Sequence, residues 1–181
     1  MLKLLLRLKA KLFTNKFIIK GDKNRIHIGN NTNIDSSVIL NNTKGGTIEI
    51  GDNCNIFENV IIATYGGNIK IGNYTSINPF CVLYGHGGLT IGNDVRIATH
   101  CVFVPANHIY DDLHTPIRKQ GLSKKGINIE DNIWIGAGVK ILDGVRVQKN
   151  SIIAAGSVVH KNVETGVVVG GVPAKIIKVR K

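Results

Sequence analysis

The chain has 181 residues, of which 43% are hydrophobic and 19% charged. This composition excludes an intrinsically disordered chain and fits one domain with at most a short appendage. Only 6% of the residues are aromatic, so the core must be aliphatic. No run of about 18 uncharged apolar residues occurs, so the sequence predicts no membrane-spanning helix. The net charge of +11 first points to a nucleic-acid-binding protein.

The excess positive charge is concentrated in an N-terminal arm, residues 1–25, which carries a local charge of +7 and leaves only +4 for the other 156 residues. This distribution argues against a nucleic-acid-binding domain. The arm begins MLKLLLRLKAKLF and lacks the unbroken apolar segment and the cleavage site of a signal peptide. Two interpretations stay open: a helical cap on the end of the domain, or a basic amphipathic helix that contacts a membrane surface.

An internal repeat extends over most of the chain. Three glycine pairs, Gly45-Gly46, Gly66-Gly67 and Gly87-Gly88, recur every 21 residues. Within this long period, a large apolar residue recurs every six residues. The series is Ile28, Ile34, Ile50, Ile56, Ile62, Ile71, Ile77, Leu83, Ile91, Ile97 and Phe103, and after a break Ile129, Ile135, Ile141, Val147, Ile153 and Val159. A sustained repeat outweighs any local propensity.

A six-residue repeat predicts a parallel β-helix. Three hexads close one triangular coil of about 18 residues, with a strand on each side, and coils stack at about 4.8 Å. Successive coil starts differ by 22, 21, 20, 38 and 18 residues, so the early coils carry short corner insertions. The three cysteines, Cys54, Cys81 and Cys101, share the fifth hexad position. They are predicted to be buried small residues rather than disulfide or metal ligands, in a reducing cytoplasm.

The hexads resemble those of the hexapeptide-repeat acyltransferases, a family with a left-handed β-helix. The resemblance covers residues 26–166, and VVVGGVPAKIIK (167–178) is similar to the terminal segment of the family. It implies the left-handed winding, which the usual crossover rule would not predict. We therefore expect an arm or cap at 1–25, a catalytic β-helix at 26–166 and a tail at 167–181. The resemblance also implies a homotrimer with active sites between subunits.

The repeat fails between Phe103 and Ile127, and the excursion at about 109–126 needs a functional reason. Its opening, ANHIYDD, resembles the histidine segment of sugar O-acetyltransferases, both the maltose and galactoside types and those that modify capsule or O-antigen. The segments IEDNIWIGAGVKILDGVRV (129–147) and IIAAGSVV (152–159) extend the similarity. The resemblance makes His108 the catalytic histidine. An imidazole can accept a proton at neutral pH, so the chemistry agrees.

The same resemblance implies further site residues. Asn78 matches a position that contacts the acceptor, although a corner asparagine in a turn is an equal alternative. Acceptor contacts are also predicted for Asp111, Asp112 and Trp134. One of the two aspartates could instead orient His108 or be a solvated loop charge, and Trp134 could instead shape the acyl pocket or pack between subunits. Acetyl-CoA is the expected acyl donor. The residues predicted to bind it are Ala137, Gly138, Ala155, Gly156, Ser157, Lys161, Lys175 and Arg180. For the three basic residues, a solvated basic tail is the alternative.

The remaining histidines raise the alternative of a zinc site. His86 precedes His108 by 22 residues, so both could project from adjacent coils, and His100 and His114 lie nearby in the sequence. The related γ-class carbonic anhydrases bind zinc through three histidines. The spacing here does not match theirs, so no metal is expected.

Together these features predict a cytoplasmic acetyl-CoA-dependent O-acetyltransferase that acts on a saccharide, such as a surface-polysaccharide precursor. The alternatives are an N-acyltransferase for an amino sugar, a zinc-dependent hydratase and a catalytically silent scaffold. The leucine-rich arm would favour peripheral contact with the inner face of the membrane and a lipid-linked acceptor.

Overall fold

The structure is a computed structural model that describes residues 17–180. Residues 1–16, which hold most of the predicted arm, lie outside the described residues, and so does Lys181. The described chain winds into a parallel β-helix with three flat sheets. Its winding is consistent with the left-handed form that the resemblance implies.

Each sheet takes one short strand from each coil. Sheet A contains β1 (Ile18–Lys20), β4 (Ile39–Asn41), β7 (Ile61–Ala63), β10 (Val82–Tyr84), β13 (Val102–Val104), β18 (Lys140–Leu142) and β21 (Val158–Val159). Sheet B contains β2 (Ile26–Ile28), β5 (Ile48–Ile50), β8 (Ile69–Ile71), β11 (Leu89–Ile91), β16 (Ile127–Ile129) and β19 (Arg146–Val147). Sheet C contains β3 (Asn33–Ile34), β6 (Asn55–Ile56), β9 (Ser76–Ile77), β12 (Arg96–Ile97), β17 (Trp134–Ile135), β20 (Ile152–Ile153), β22 (Val167–Gly170) and β23 (Lys175–Val179).

Strand pairing confirms the predicted repeat. The predicted coil starts pair in register from one coil to the next in sheet B: Ile28, Ile50, Ile71, Ile91, Ile129 and Val147. All other residues of the predicted apolar series are buried, whereas Ile28, in the first coil of sheet B, is 38% exposed. The interior is thus one continuous aliphatic core, with apolar side chains stacked along the helix axis.

The cysteines lie where the repeat predicts them. All three are free thiols and fully buried, and each Sγ donates a hydrogen bond of 3.1 Å to a carbonyl oxygen of the following coil. Burial raises the pKa of Cys54, and a hydrogen bond with Cys101 together with burial raises the pKa of Cys81. Neutral, packed thiols of this kind behave as small apolar residues.

The three corners of the triangular coil differ in regularity. We name each by the sheets that it connects, in chain direction: the A–B, B–C and C–A corners. Four residues connect sheet B to sheet C, and four connect sheet C to sheet A, in every coil through β20 and β21. The A–B corner instead ranges from three residues to 22, the longest being residues 105–126. All insertions therefore leave the helix at one corner.

Two kinds of packing hold the corners together. At the B–C corner, Asn73 Oδ1 accepts a 2.8 Å hydrogen bond from Asp52 N, and Asn93 Oδ1 accepts one of 2.8 Å from Asn73 N, so polar side chains link successive coils. At the A–B corner, backbone packs on backbone. A Cβ at Gly46 would clash with the carbonyl oxygen of Gly67, which explains why the glycine pairs recur.

The coils extend beyond the predicted range of 26–166. Strand β1 pairs in parallel with β4, so residues 18–20 already belong to sheet A. At the other end β22 pairs in parallel with β20, and β23 turns back antiparallel to β22 and covers the last coil of sheet C. Within residues 17–180, no helix has the length and apolar character needed to cross a membrane.

Candidate functional site

The long insertion at the A–B corner carries the predicted catalytic histidine. After β13, residues 107 and 108 form β14 (Asn107–His108), which pairs antiparallel with β15 (Leu122–Ser123). The short helix α1 (Ile117–Gln120) lies between the two strands. The predicted excursion is therefore a short two-stranded ribbon with one helical turn, and the exposed His108, paired with Leu122, stands on its first strand.

Asp143 fastens the end of the excursion to the next coil. Its Oδ1 accepts 2.9 Å hydrogen bonds from the backbone N–H groups of Lys125 and Gly126, and its Oδ2 accepts one of 3.0 Å from Ser123 Oγ. Three bonds to one carboxylate fix the position where the chain re-enters sheet B. Sequence reasoning missed this residue. The available signal was an aspartate before Gly144, in the A–B corner that follows the excursion.

Hydrogen bonds inside the excursion define its shape. Gln120 Nε2 donates to the carbonyl oxygens of Asp112 and Thr115, at 2.8 and 2.6 Å, while Gln120 Oε1 accepts from Asp112 N at 3.1 Å. Asp112 Oδ1 accepts from His114 N at 2.8 Å. Hydrogen bonds from the Thr115 side chain and from His114 N lower the pKa of Asp112. This carboxylate holds a turn, whereas its neighbour Asp111 is exposed.

An aromatic cluster joins the A–B corners of the two coils before the excursion. The rings of Tyr65 and His86 stack at 4.6 Å, and Tyr84 meets Tyr65 edge-on at 5.0 Å. His86 Nδ1 is buried and has no hydrogen-bond partner among residues 17–180. Burial and the charge of Lys124 lower the pKa of His86, so its neutral form is favoured.

The structure separates the histidines that the zinc hypothesis would need together. His86 and the excursion histidines, His108 and His114, belong to the A–B corner, whereas His100 lies at the C–A corner and stacks on Phe80. Among the residues described, no three histidine, cysteine or acidic side chains form a group that could hold a metal ion.

The other predicted acceptor residues lie on a different part of the coil. Asn78 belongs to the C–A corner, is half-buried, and donates a 2.8 Å hydrogen bond from Nδ2 to the carbonyl oxygen of Ile97 in the next coil. Its amide therefore acts as a corner link, and its Oδ1 is the atom left for a ligand. Trp134 points outward from sheet C and is 56% exposed.

The small residues predicted to bind the donor share the C–A corner. Ala137 and Gly138 lie in one coil, and Ala155 and Gly156 in the next, linked by a 2.8 Å hydrogen bond from Gly156 N to the carbonyl oxygen of Ala137. The buried Ser157 donates from Oγ to the carbonyl oxygen of Ala154 at 2.6 Å. Its hydroxyl is engaged in the interior, and its carbonyl oxygen accepts a 2.9 Å hydrogen bond from Lys140 N. The fully buried Ser157 therefore lies beneath the surface that Ala155 and Gly156 form.

The predicted phosphate-binding cations divide between two places. Lys161 and Lys175 line one cavity of about 160 Å³ at the C-terminal end of the helix. Arg180 is held elsewhere, because its Nη1 donates a 2.6 Å hydrogen bond to the carbonyl oxygen of Asn150 at the B–C corner.

Sheet A therefore separates the two halves of the predicted site. His108 follows sheet A at the A–B corner, whereas Ala137 and Gly138 precede it at the C–A corner. About six residues of extended chain span the side between these corners, which is roughly 15–20 Å. Within one chain, the predicted base and the predicted donor surface lie on different edges of the triangle.

Comparison with known proteins identifies the family. Residues 126–161 match the family model described as bacterial transferase hexapeptide (six repeats). A hexapeptide-repeat-containing acetyltransferase from Vibrio cholerae O1 biovar eltor, solved in complex with acetyl coenzyme A, is 30% identical. Its alignment covers 86% of this chain and 71% of that chain, with a TM-score of 0.62. The chain belongs to the hexapeptide-repeat acetyltransferases.

Proteins similar to this chain include both an O-acetyltransferase and an N-acyltransferase. A galactoside O-acetyltransferase from Lactococcus lactis subsp. lactis (strain IL1403) is 36% identical over 130 residues, which is 71% of this chain and 61% of the relative. An N-acyltransferase from Bacillus cereus, solved with dTDP and 3-hydroxybutyryl-CoA, shares the fold at 21% identity with a TM-score of 0.74, and the match covers 96% of this chain and 88% of that one. The chain spans about three fifths of the length of the curated relatives that it matches.

Proposed function

We propose that this acetyltransferase transfers the acetyl group of acetyl-CoA to a hydroxyl of a saccharide, with His108 as general base. The observation that carries the proposal is the exposed His108 on the ribbon of the excursion, in a helix that is otherwise regular. The similarity to a galactoside O-acetyltransferase supports a saccharide acceptor.

His108 performs two proton transfers in this mechanism. It accepts the proton of the acceptor hydroxyl as that oxygen attacks the thioester carbonyl carbon. The C–O bond forms, the C–S bond breaks, and the imidazolium returns its proton to the leaving thiolate. General base catalysis of this kind contributes about 10²–10⁴-fold to the rate. A backbone N–H group at the site would stabilise the developing oxyanion.

The donor would lie along the C–A corner, over Ala137, Gly138, Ala155 and Gly156, with the buried Ser157 supporting this surface from beneath. Side chains there are small or absent, so a ligand can approach the backbone closely. Lys161 and Lys175 at the C-terminal end would attract the phosphates of the donor, whereas Arg180 is held at the B–C corner by Asn150. The solved complexes with acetyl-CoA and with 3-hydroxybutyryl-CoA among similar structures support a coenzyme A thioester as donor.

A homotrimer would bring the two halves of the site together. Because sheet A separates His108 from the C–A corner, we propose that the excursion of one subunit faces the C–A corner of its neighbour. The acceptor would then contact Asn78 and Trp134 of one subunit and Asp111 and Asp112 of the other. This arrangement makes the active site a property of the oligomer.

The cellular setting that we propose is cytoplasmic. A surface-polysaccharide precursor is the proposed acceptor class, and residues 1–25 would hold the enzyme at the inner face of the membrane when the acceptor is lipid-linked. The basic residues of this arm, Lys20, Lys23 and Arg25 among those described, would attract anionic headgroups.

N-acylation of an amino sugar is the second candidate. The shared fold of the Bacillus cereus N-acyltransferase favours it, and the same base could remove a proton from an attacking amine. The two candidates differ only in the acceptor atom, so acceptors of both kinds belong in one test.

The test follows thiol release from acetyl-CoA with pooled hydroxyl and amino sugars, for the wild type and His108→Ala. We expect acceptor-dependent release in the wild type and a loss of about 10²–10⁴-fold in the variant, with unchanged melting and oligomeric state. Equal release by both proteins would remove His108 from the role of base. His114→Ala, an exposed histidine of the same excursion, is the matched control.

A further inference from the structure

From the second described C–A corner (residues 57–60) onward, the third residue of each four-residue C–A corner adopts a left-handed backbone conformation. In four successive coils these residues are Phe80, His100, Gly138 and Gly156, with φ of 62°, 61°, 71° and 71°. Each backbone N–H donates to a carbonyl oxygen of the preceding coil. The distances are 3.1 Å for Phe80 and His100, 2.9 Å for Gly138 and 2.8 Å for Gly156. These four residues therefore form one column along the helix axis.

The column changes abruptly between its second and third members. The rings of Phe80 and His100 stack face to face, with centroids 5.1 Å apart and planes 7° apart. Phe80 is 51% exposed. Beyond them the column is bare, because Gly138 and Gly156 have no side chain, and a Cβ at Gly156 would meet open space. Within one coil, the surface of this column therefore changes from two stacked rings to backbone without side chains.

Rings at these two positions are not required by the fold. A left-handed conformation disfavours bulky residues and suits glycine or asparagine. Asn59, with φ of 58°, occupies the equivalent position one coil before Phe80. The helix therefore accepts asparagine in this column, and two rings in disfavoured conformations point to a role outside folding.

We propose that the Phe80–His100 stack ends the acyl subsite and restricts the donor to short acyl chains. The inference rests on the proposed function, which lays the donor over Gly138 and Gly156. Lys161 and Lys175 at the C-terminal end would fix the phosphates there, so the acyl end points back along the corner towards His100.

The position of the Phe80–His100 stack along the helix axis agrees with this orientation of the donor. His100 and the start of the excursion belong to the same coil, because β13 alone separates them in the chain. The acyl carbon must lie at the level of the base. The acyl carbon would thus lie beside the His100 ring, which blocks a longer acyl chain. Removal of that ring would free about one coil spacing, about 4.8 Å, for the chain.

The test compares acetyl-, butyryl- and hexanoyl-CoA as ligands of the full chain by calorimetry, and as donors in the thiol-release assay. We expect the wild type to prefer acetyl-CoA over butyryl-CoA by at least about tenfold in Kd and in kcat/KM. In His100→Asn and Phe80→Asn, the butyryl-to-acetyl ratio should rise at least about tenfold. Asn59→Gly, one coil away, is the matched control and should keep the wild-type ratio.

Two outcomes would overturn the proposal. One is a wild type that binds all three donors equally well. The other is a ratio that stays unchanged in both asparagine variants while acetyl transfer continues, which would leave the proposed function intact. If the wild type binds none of the three donors, the proposed function itself fails, and the inference fails with it. Unchanged melting temperatures would show that the asparagine variants fold.

Discussion

The A–B and C–A corners flank the same sheet and come from the same repeat, yet they are built by opposite rules. The C–A corner has four residues in every coil through β20 and β21, whereas the A–B corner varies from three to 22. Under the proposed function, the small residues of the last C–A corners form a continuous surface for an extended donor, and this surface begins after the rings of Phe80 and His100. A variable corner can lengthen outward without disturbing the neighbouring coils, and it is where the histidine ribbon leaves the helix.

Under the proposed function, ligand binding and proton transfer make different demands on the β-helix. A long ligand needs equivalent backbone groups at regular spacing, which the repeat supplies without added structure. A base needs a side chain held away from the helix, which requires an insertion and a device that fixes it. Here the device is Asp143, on the coil after the excursion.

The largest predicted effect that tests this contrast between the two corners is that of a substitution at Asp143. Asp143→Ala removes the acceptor for Ser123, Lys125 and Gly126, so the ribbon should lose its fixed position. We expect kcat to fall by about 10²-fold, the cost of a misplaced catalytic group, while the Kd for CoA stays unchanged.

The control is Asp143→Asn, which keeps Oδ1 as acceptor for both backbone N–H groups. It should retain most of the activity. A loss of CoA affinity in Asp143→Ala as large as the loss of kcat would show that the residue does not act through the excursion.

A smaller effect concerns the backbone packing at the A–B corner. A Cβ at Gly67 would clash with the carbonyl oxygen of Gly85 in the next coil. Gly67→Ala should therefore lower the free energy of unfolding by about 1–3 kcal/mol, measured by denaturant titration. Lys44→Ala, an exposed residue of the same corner, should change it by less than about 0.5 kcal/mol. Equal effects in both variants would disprove the close-packing argument.

The smallest effect is a pH dependence from His86. Its pKa is lowered in the folded state by burial and by Lys124. As the pH falls below the ordinary value of 6.5, the unfolded chain takes up a proton at this residue more readily, so the free energy of unfolding falls. His86→Gln should flatten this decline between pH 7 and pH 5.5. The same slope in both proteins would remove His86 as its source.

The period of six was sufficient to predict most of the fold. The register from Ile28 to Val147 and the burial of Cys54, Cys81 and Cys101 follow from it, because each depends only on position within a hexad. The excursion was also predictable, since a failed repeat marks an insertion whatever its sequence.

The side-chain contacts of the candidate site were harder to predict from the sequence because they join residues of different coils. The stacks of Tyr65 on His86 and of Phe80 on His100 join residues about 20 positions apart that share no local motif. Asp143 contacts a segment that ends 17 residues before it, and the ribbon depends on the side-chain bonds of Gln120. Periodicity shows which residues face inward, but it does not show which side chains meet at a corner.

The central claim is that one active site takes its base from one subunit and its donor surface from the next. The most direct test mixes two inactive variants: His108→Ala, and Ala155→Trp, which places a bulky side chain on the exposed C–A corner. Oligomers that contain both chains, purified through two different tags, should regain activity. In each mixed trimer, one of the three sites would hold both intact halves. Mixed oligomers without regained activity would contradict the claim and place both halves in one chain.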